Sequence, residues 1–117
     1  MSNALVTIGL PFYNAENTLP LAIKSTLAQT FSSWRLLLVD DGSTDRSLAI
    51  AKEFAEHDFR IEVLTDGKNR GLIYRLNQLI DLADTKYIAR MDADDIMLPE
   101  RLAKQFHFLE KNRDIKW

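Results

Sequence analysis

Asp92, Asp94 and Asp95 place three carboxylates within four consecutive residues. Their mutual repulsion is costly unless solvent or a cation offsets it. Mg²⁺ and Mn²⁺ prefer hard oxygen ligands, and they commonly take one or two protein carboxylates and complete their coordination with phosphate oxygens and water. The cluster therefore predicts a divalent-metal site that would neutralise a diphosphate. For an acidic triplet judged alone, a solvated turn with a helix cap is the commoner explanation, so its position in the fold decides.

A second polar segment, residues 40–45, has the sequence Asp-Asp-Gly-Ser-Thr-Asp. These residue types are usual in the turn between a strand and a helix, which is the simpler interpretation of the segment. An aspartate in a ligand cleft also accepts hydrogen bonds from a base or a ribose. We assign that role to Asp41.

Two further groups of residues are candidates for ligand contacts. The ring of Tyr13 either packs on the edge of a sheet or stacks on a base. Arg70, Gly71 and Arg75 open a predicted helix, where a helix N-terminus and a guanidinium would both favour a diphosphate. Judged alone, Arg75 is more typical of a solvated surface cation.

Several other chemistries are excluded by the sequence. The chain lacks Cys, which removes disulfides and thiolate metal sites and is compatible with a reducing compartment. His57 and His107 lie inside predicted helices without metal-ligand spacing, so we interpret them as surface or packing residues. Neither a Gly-x-Gly-x-x-Gly nor a P-loop motif is present, which argues against dinucleotide oxidoreductases and P-loop proteins.

Length and composition predict one soluble globular unit. The 117 residues suffice for one modest α/β core, and 46% are hydrophobic and 27% charged. Lys and Arg number 15 against 17 Asp and Glu, so there is no basic excess for binding nucleic acid. No apolar run approaches the roughly 20 residues that a membrane helix needs.

Apolar runs and helical spacings alternate along the chain. The predicted strands are Leu5 to Leu10 (ending at Pro11), Arg35 to Val39, Arg60 to Leu64, and Lys86 to Met91. Helical spacing follows each strand, at Leu19, Ile23 and Leu27; at Leu48, Ala51, Phe54 and Ala55; at Leu72, Leu76, Leu79, Ile80 and Ala83; and at Leu102, Phe106 and Leu109 after Pro99.

This alternation predicts a three-layer α/β/α fold with a mostly parallel, Rossmann-like sheet of about four strands and four helices. In such sheets, ligands bind outside the carboxyl ends of the strands. The polar segments follow the predicted strands at residues 11–14, 40–45, 66–71 and 92–95. Their common position favours a ligand site over four unrelated turns.

Four segments taken in chain order resemble family 2 glycosyltransferases of the GT-A fold, over nearly the whole chain. They are Val6 to Asn14 (VTIGLPFYN), Leu38 to Asp45 (LVDDGSTD), Asn69 to Gly71 (NRG), and Asp92 to Asp95 (DADD). The resemblance implies a nucleotide-diphospho-sugar donor, most often a UDP-sugar. The nucleotide-sugar-binding residues that it implies are Pro11, Tyr13, Asn14, Asp41, Gly71, Arg75, Asp92 and Ala93.

The resemblance also implies a metal-assisted reaction. Asp92-Ala93-Asp94 is similar to the family's Asp-x-Asp motif, with Asp94 as the main ligand of Mg²⁺ or Mn²⁺ and Asp92 toward the ribose or the metal. Such enzymes usually invert the anomeric centre, and a base deprotonates an acceptor hydroxyl. That base normally lies well downstream of the motif. We therefore expect residues 1–117 to be the nucleotide-sugar-binding half of a longer, cytoplasmic protein, with Ser2-Asn3-Ala4 left from cloning.

Two alternatives belong to other functional classes. A non-catalytic nucleotide-sugar-binding or interaction module would keep the pocket without transfer chemistry. A receiver-like signalling domain fits the alternation of strands and helices, but its acidic residues would have to converge from different strands with a lysine opposite. The order of the four segments favours the transferase.

Overall fold

The computed structural model describes residues 4–112, and the two ends of the predicted unit 1–117, including Ser2 and Asn3, lie outside the described residues. Its elements are β1 (Val6–Phe12), α1 (Leu19–Leu27), β2 (Trp34–Asp40), α2 (Ser47–His57), β3 (Ile61–Leu64), α3 (Leu72–Leu82), β4 (Tyr87–Arg90) and α4 (Arg101–Lys111). The strands form one parallel sheet in the order β3-β2-β1-β4. The predicted alternation is confirmed.

The side chains of β2 alternate between two apolar cores, as the period of a strand requires, and the apolar side chains of β1 all belong to the larger core. Ile8, Leu36 and Leu38 belong to the larger core, which also holds buried residues of α1, α2 and α4. Leu37 and Val39 point to the other face and pack with α3. Helices therefore cover both faces of the sheet, and the predicted three-layer fold is confirmed.

The approach of α3 to the sheet depends on a glycine. A Cβ atom at Gly9 of β1 would lie 2.9 Å from Cδ1 of Leu79, which is buried on α3. This separation is shorter than van der Waals contact between carbon atoms. The absence of a side chain at Gly9 therefore lets α3 pack directly on the backbone of β1.

The prediction that strand one ends at Pro11 is wrong, because β1 continues to Phe12 and Pro11 pairs with Val39 of β2. The Gly9 carbonyl accepts a hydrogen bond from Met91 after β4, and the Phe12 carbonyl accepts one from Asp41 after β2. Backbone polar groups of successive residues in a strand point alternately to its two neighbours. The Pro11 nitrogen therefore points toward β4, as the Gly9 carbonyl does, and pairing with β4 has already ended at Gly9. The missing N–H therefore costs little.

Helix α3 is confirmed, but its apolar stripe is only partly buried. Leu79 is 4% exposed, whereas Leu72 and Ile80 are 48% and 59% exposed. Because α3 packs chiefly on β1 and β2, only a narrow part of its apolar face meets the sheet. Within residues 4–112, no helix has the length and apolar character needed to cross a membrane.

Gln29 fastens the segment after the acidic cluster to the end of α1. Its side chain is 7% exposed, its Nε2 donates to the Leu98 carbonyl at 2.8 Å, and its Oε1 accepts from the Leu102 amide at 3.1 Å. The Ser25 hydroxyl accepts a further hydrogen bond from the Met97 amide at 3.0 Å. Residues 97–102 are thus held by polar contacts as well as by apolar packing.

We expect Gln29→Ala to destabilise the protein, because it leaves the buried Leu102 amide without this partner and removes the part-buried hydrogen bond to the Leu98 carbonyl. An unsatisfied buried amide costs about 1–3 kcal/mol, so the free energy of unfolding should fall by about that amount. Urea denaturation of the full-length protein measures this change. Gln105→Ala on α4 is the matched control, with an expected change below about 1 kcal/mol. Equal effects of the two substitutions would contradict the role given to Gln29.

Candidate functional site

The polar segments that follow β1, β2 and β4 lie at one edge of the sheet, because the strands are parallel and in register. Asn14, just after β1, has a φ of 46° and links two of these segments. Its Oδ1 accepts hydrogen bonds from the backbone amides of Thr44 at 2.7 Å and Asp45 at 3.3 Å. The backbone amide of Asn14 donates to Ser43 Oγ at 3.0 Å. The side chain of Asn14 thus orders the turn after β2.

The two consecutive aspartates after β2 have different surroundings. Asp40 is a turn residue, because its Oδ1 accepts from the Ser43 amide at 2.9 Å and its Oδ2 from the Thr65 hydroxyl at 2.9 Å. Asp41 instead faces the start of α3. Its Oδ1 accepts from the Arg70 amide at 2.8 Å and from Arg75 Nε at 2.9 Å.

Asp41 is held as a carboxylate. The Gly71 amide lies 3.2 Å from both of its oxygens, at the N-terminus of α3. Burial raises the pKa of Asp41, but the hydrogen bonds from Arg70, Arg75 and Gly71 together outweigh burial and lower the pKa below its ordinary value. Asp41 therefore offers acceptors and no donor to a ligand.

The interpretation of Arg75 as a solvated surface cation is wrong, because the residue is 0% exposed. Besides Asp41, its guanidinium donates to Asp66 Oδ1 at 2.8 Å, to the Lys68 carbonyl at 2.6 Å and to Gln78 Oε1 at 3.1 Å. Two carboxylates compensate the buried charge, which sequence spacing alone could not show.

The acidic cluster combines the two interpretations of its sequence. It forms a turn, in which the Asp95 amide donates to the Asp92 carbonyl at 3.0 Å and the Asp92 amide to Asp95 Oδ2 at 2.9 Å. It is also a possible ligand set, since one carboxylate oxygen from each of Asp92, Asp94 and Asp95 lies within 4.8 Å of the others. Ala93 packs partly against the larger core, while Asp92 and Asp94 are exposed.

This donor set fits Mg²⁺ or Mn²⁺, because it is all oxygen and open to water and phosphate. One cation already competes for it. Arg90 at the end of β4 donates to Asp92 Oδ1 at 2.9 Å, and both side chains are about half exposed. Asp94 has no such ion pair among the described salt bridges, so it is the freer carboxylate.

The remaining predicted site residues divide by position. Tyr13 follows β1 directly and is 49% exposed, so its ring is accessible for stacking. Pro11 is buried inside β1, and Gly71 caps α3 with a φ of 95°. The structure brings Asp41, Gly71 and Arg75 into direct contact, while the acidic cluster lies two strands away across β1.

Sequence reasoning missed the role of Asp66. It accepts from Arg75 and also from Arg70 Nε at 2.6 Å, and these two partners, with the Lys68 amide, lower its pKa. The available signal was an aspartate before the Gly67 turn with arginines four and nine residues later. Only the first of these spacings indicates a local contact.

The site therefore has acceptor groups after β2, an accessible aromatic ring after β1 and an acidic cluster after β4. The family model described as Glycosyl transferase family 2 matches residues 7–116. The chain belongs to glycosyl transferase family 2. The fold and the order of the four segments predicted from the sequence agree with this membership.

Relatives of the family 2 chain include bacterial and archaeal proteins. It is 43% identical over 113 residues to EpsE of Bacillus subtilis (strain 168), covering 96% of the chain and 41% of EpsE. It is 38% identical over 112 residues to the Escherichia coli UDP-Glc:alpha-D-GlcNAc-diphosphoundecaprenol beta-1,3-glucosyltransferase WfgD, covering 96% of the chain and 44% of WfgD. The chain thus spans less than half the length of these relatives.

Solved structures share the fold of this family 2 chain. TarS of S. aureus, residues 1–349 in complex with UDP-GlcNAc, matches with a TM-score of 0.84 and 24% identity, over 95% of this chain and 32% of that chain. The mannosyltransferase PcManGT from Pyrobaculum calidifontis, in complex with GDP-Man and Mn²⁺, matches with a TM-score of 0.83 and 22% identity, over 90% and 32%. At these identities the likeness shows the fold alone.

The lowered pKa of Asp41 predicts a specific acid response. The stability that Asp41 contributes is fully present above its ordinary pKa of 3.8 and is lost as the pH falls through the lowered pKa of the folded state. Between about pH 4 and pH 2, the free energy of unfolding should therefore fall more steeply in the wild type than in Asp41→Asn. Urea denaturation across this range measures both slopes, and Asp81→Asn on α3 is the control. Parallel slopes for wild type and Asp41→Asn would contradict the prediction.

Proposed function

We propose that the full-length protein is a glycosyltransferase that uses a nucleotide-diphospho-sugar as its donor, and that this chain binds the donor. We propose a UDP-sugar as that donor. The observation that carries the proposal is the placement of Asp41 and the acidic cluster at one edge of the sheet, with β1 between them. Membership of family 2 supports it. The complexes of TarS with UDP-GlcNAc and of PcManGT with GDP-Man agree with a donor of this class.

The nucleoside would lie over the ends of β1 and β2. Asp41 Oδ1 already accepts three hydrogen bonds, from Arg70, Gly71 and Arg75. Oδ2 accepts only one, from the Gly71 amide at 3.2 Å. Oδ2 is thus the oxygen with capacity for a ligand, and a carboxylate accepts only from a donor. The imide N–H of uracil can donate to Asp41 Oδ2, while cytosine presents a ring nitrogen acceptor in the same position. The exposed ring of Tyr13 would stack on the base, and Pro11 would line the floor.

The diphosphate would lie at the end of β4. Adjacent strands are about 4.8 Å apart, so the ends of β2 and β4 are roughly 10 Å apart. A nucleoside diphosphate carries its base and its phosphates on opposite sides of the ribose, which suits this separation. Asp94 and Asp92 would hold Mg²⁺ or Mn²⁺, and the ion would neutralise the departing diphosphate when bound. Arg90 would have to release Asp92 for this role.

The acceptor hydroxyl would attack the anomeric carbon with inversion, and a general base would take its proton. We place that base and the acceptor site in the part of the protein outside this chain. We propose a glycan or a lipid-linked carbohydrate as the acceptor. A cytoplasmic location is also part of the proposal, and the absence of Cys is compatible with it.

Metal dependence tests the acidic cluster. Isothermal titration calorimetry of the full-length protein should show UDP binding that strengthens when Mn²⁺ or Mg²⁺ is added. Asp94→Ala should abolish most of that strengthening, a loss of at least ~10-fold in affinity, or about 1.4 kcal/mol. Glu56→Ala, an exposed acid on α2, is the control and should leave the dependence unchanged. A wild type that binds no nucleoside diphosphate, with or without metal, would overturn the proposed function.

Base selectivity tests Asp41 separately. The wild type should bind UDP about tenfold or more tightly than CDP, because a carboxylate repels an acceptor on the ligand. Asp41→Asn should reduce that preference, since a carboxamide can donate to cytosine. Competition binding with UDP and CDP measures both ratios, and retained CDP binding by the variant shows that it is folded. An unchanged UDP-to-CDP ratio would contradict this role for Asp41.

A further inference from the structure

Arg75 has no N–H group left for a ligand. Its guanidinium carries five donors. Nε donates to Asp41, one terminal nitrogen donates to Asp66 Oδ1 and the Lys68 carbonyl, and the other donates to Gln78 and, at 3.5 Å, to Asp66 Oδ2. The residue is also 0% exposed. A direct contact between Arg75 and a diphosphate would require one of these buried hydrogen bonds to break.

The contacts of Arg75 join Asp41 to the loop before α3. Residues 66–71 close over the turn after β2, where Asn69 Nδ2 donates to the Asp41 carbonyl at 3.2 Å. The approach is close, because a Cβ at Gly42 would lie 2.7 Å from the Lys68 carbonyl carbon, and Gly42 has a φ of 77°. Arg75 holds this loop through Asp66 and Lys68 while it holds Asp41 through Nε.

This arrangement fixes the orientation of one carboxylate. Arg75 Nε and the Arg70 amide both donate to Asp41 Oδ1, which leaves Oδ2 as the oxygen with spare acceptor capacity. Removing Arg75 would leave the Asp41 side chain held only by the amides of Arg70 and Gly71 and would remove the charge that opposes its protonation.

We propose that Arg75 is a positioning residue for the nucleoside pocket, which acts by holding Asp41 in the single orientation that accepts an N–H of the donor's base. The inference rests on the proposed function. It assigns to Arg75 an effect on base affinity and base selectivity, and none on the diphosphate.

The test compares Arg75→Gln and Arg75→Lys in the full-length protein by calorimetry with uridine, UDP and CDP. Because Arg75 acts on the base, Arg75→Gln should lower the affinities for uridine and UDP by the same factor, about tenfold, and reduce the UDP-to-CDP preference. Arg75→Lys should recover part of the affinity, since a lysine keeps the charge without the planar fork. A loss for UDP with none for uridine would indicate a phosphate contact and overturn the proposal.

A double-mutant cycle asks whether Arg75 acts through Asp41. The combination of Arg75→Gln and Asp41→Asn should bind UDP no more weakly than Asp41→Asn alone, because residues of one network are not additive. Additive losses would overturn the proposal. If the wild type selects UDP over CDP and Arg75→Gln keeps that selectivity, this inference fails and the proposed function stands.

The pH profile of uridine binding separates positioning from a general loss of stability. The charged groups around Asp41 are Arg75 on α3, Arg70 and Asp66 in the loop, and Asp40 beside it in the turn. With Arg75 present, uridine affinity should stay level from pH 8 to about pH 5, because the pKa of Asp41 is lowered and uridine carries no phosphate that titrates at about pH 6. In Arg75→Gln the uridine affinity should fall at a higher pH than in the wild type, because loss of Arg75 raises the pKa of Asp41.

Arg60→Gln is the matched control, because Arg60 pairs with Asp58 at 2.8 Å and stacks on Trp34 at the opposite edge of the sheet. It removes one partly buried arginine pair and should lower stability while leaving the pH profile level. A falling profile in Arg60→Gln as well would show that the change reports stability and would overturn the proposal.

Discussion

One buried ion pair, between Asp41 and Arg75, connects segments that are far apart in the sequence. Removing two charges from water is costly, and a buried charge left with a partner missing is strongly unfavourable. Here the cost is offset because the remaining guanidinium N–H groups reach Asp66, Lys68 and Gln78. Such a network is stable only when it is complete. The end of β2, the loop before α3 and the first turns of α3 therefore form as one unit.

The sheet places two unlike electrostatic environments side by side at the same edge. After β2, the protein itself satisfies most of the acceptor capacity of Asp41 and leaves the residue only 8% exposed. After β4, Asp92 and Asp94 are exposed and crowded, with Arg90 as a replaceable counter-charge. The first environment suits recognition of a neutral group by a fixed acceptor, and the second suits a mobile cation with its anionic ligand. β1 sets the distance between them.

The sequence could predict the elements and the edge at which the polar segments lie, because apolar runs and turn residues are local signals. It identified Asp41 and Asp94 as candidates from their positions after predicted strands. It could not predict the burial of Arg75, since two partners that compensate its charge come from other segments of the chain. It misjudged Pro11 because the cost of its missing N–H depends on where β4 stops. Leu72 remains exposed because only a narrow part of the apolar face of α3 meets the sheet.

The hydrogen bonds of Gln29 bear on how the chain folds during synthesis. Its partners Leu98 and Leu102 follow it by 69 and 73 residues. At roughly 5–20 residues per second, a ribosome delivers Leu102 about 4–15 seconds after Gln29. β4, the second neighbour of β1 in the sheet, is likewise synthesised long after β1. Until β4 is synthesised, the edge of β1 that faces it has no partner strand, and an unpaired edge of this kind is prone to aggregation and is a target for chaperones.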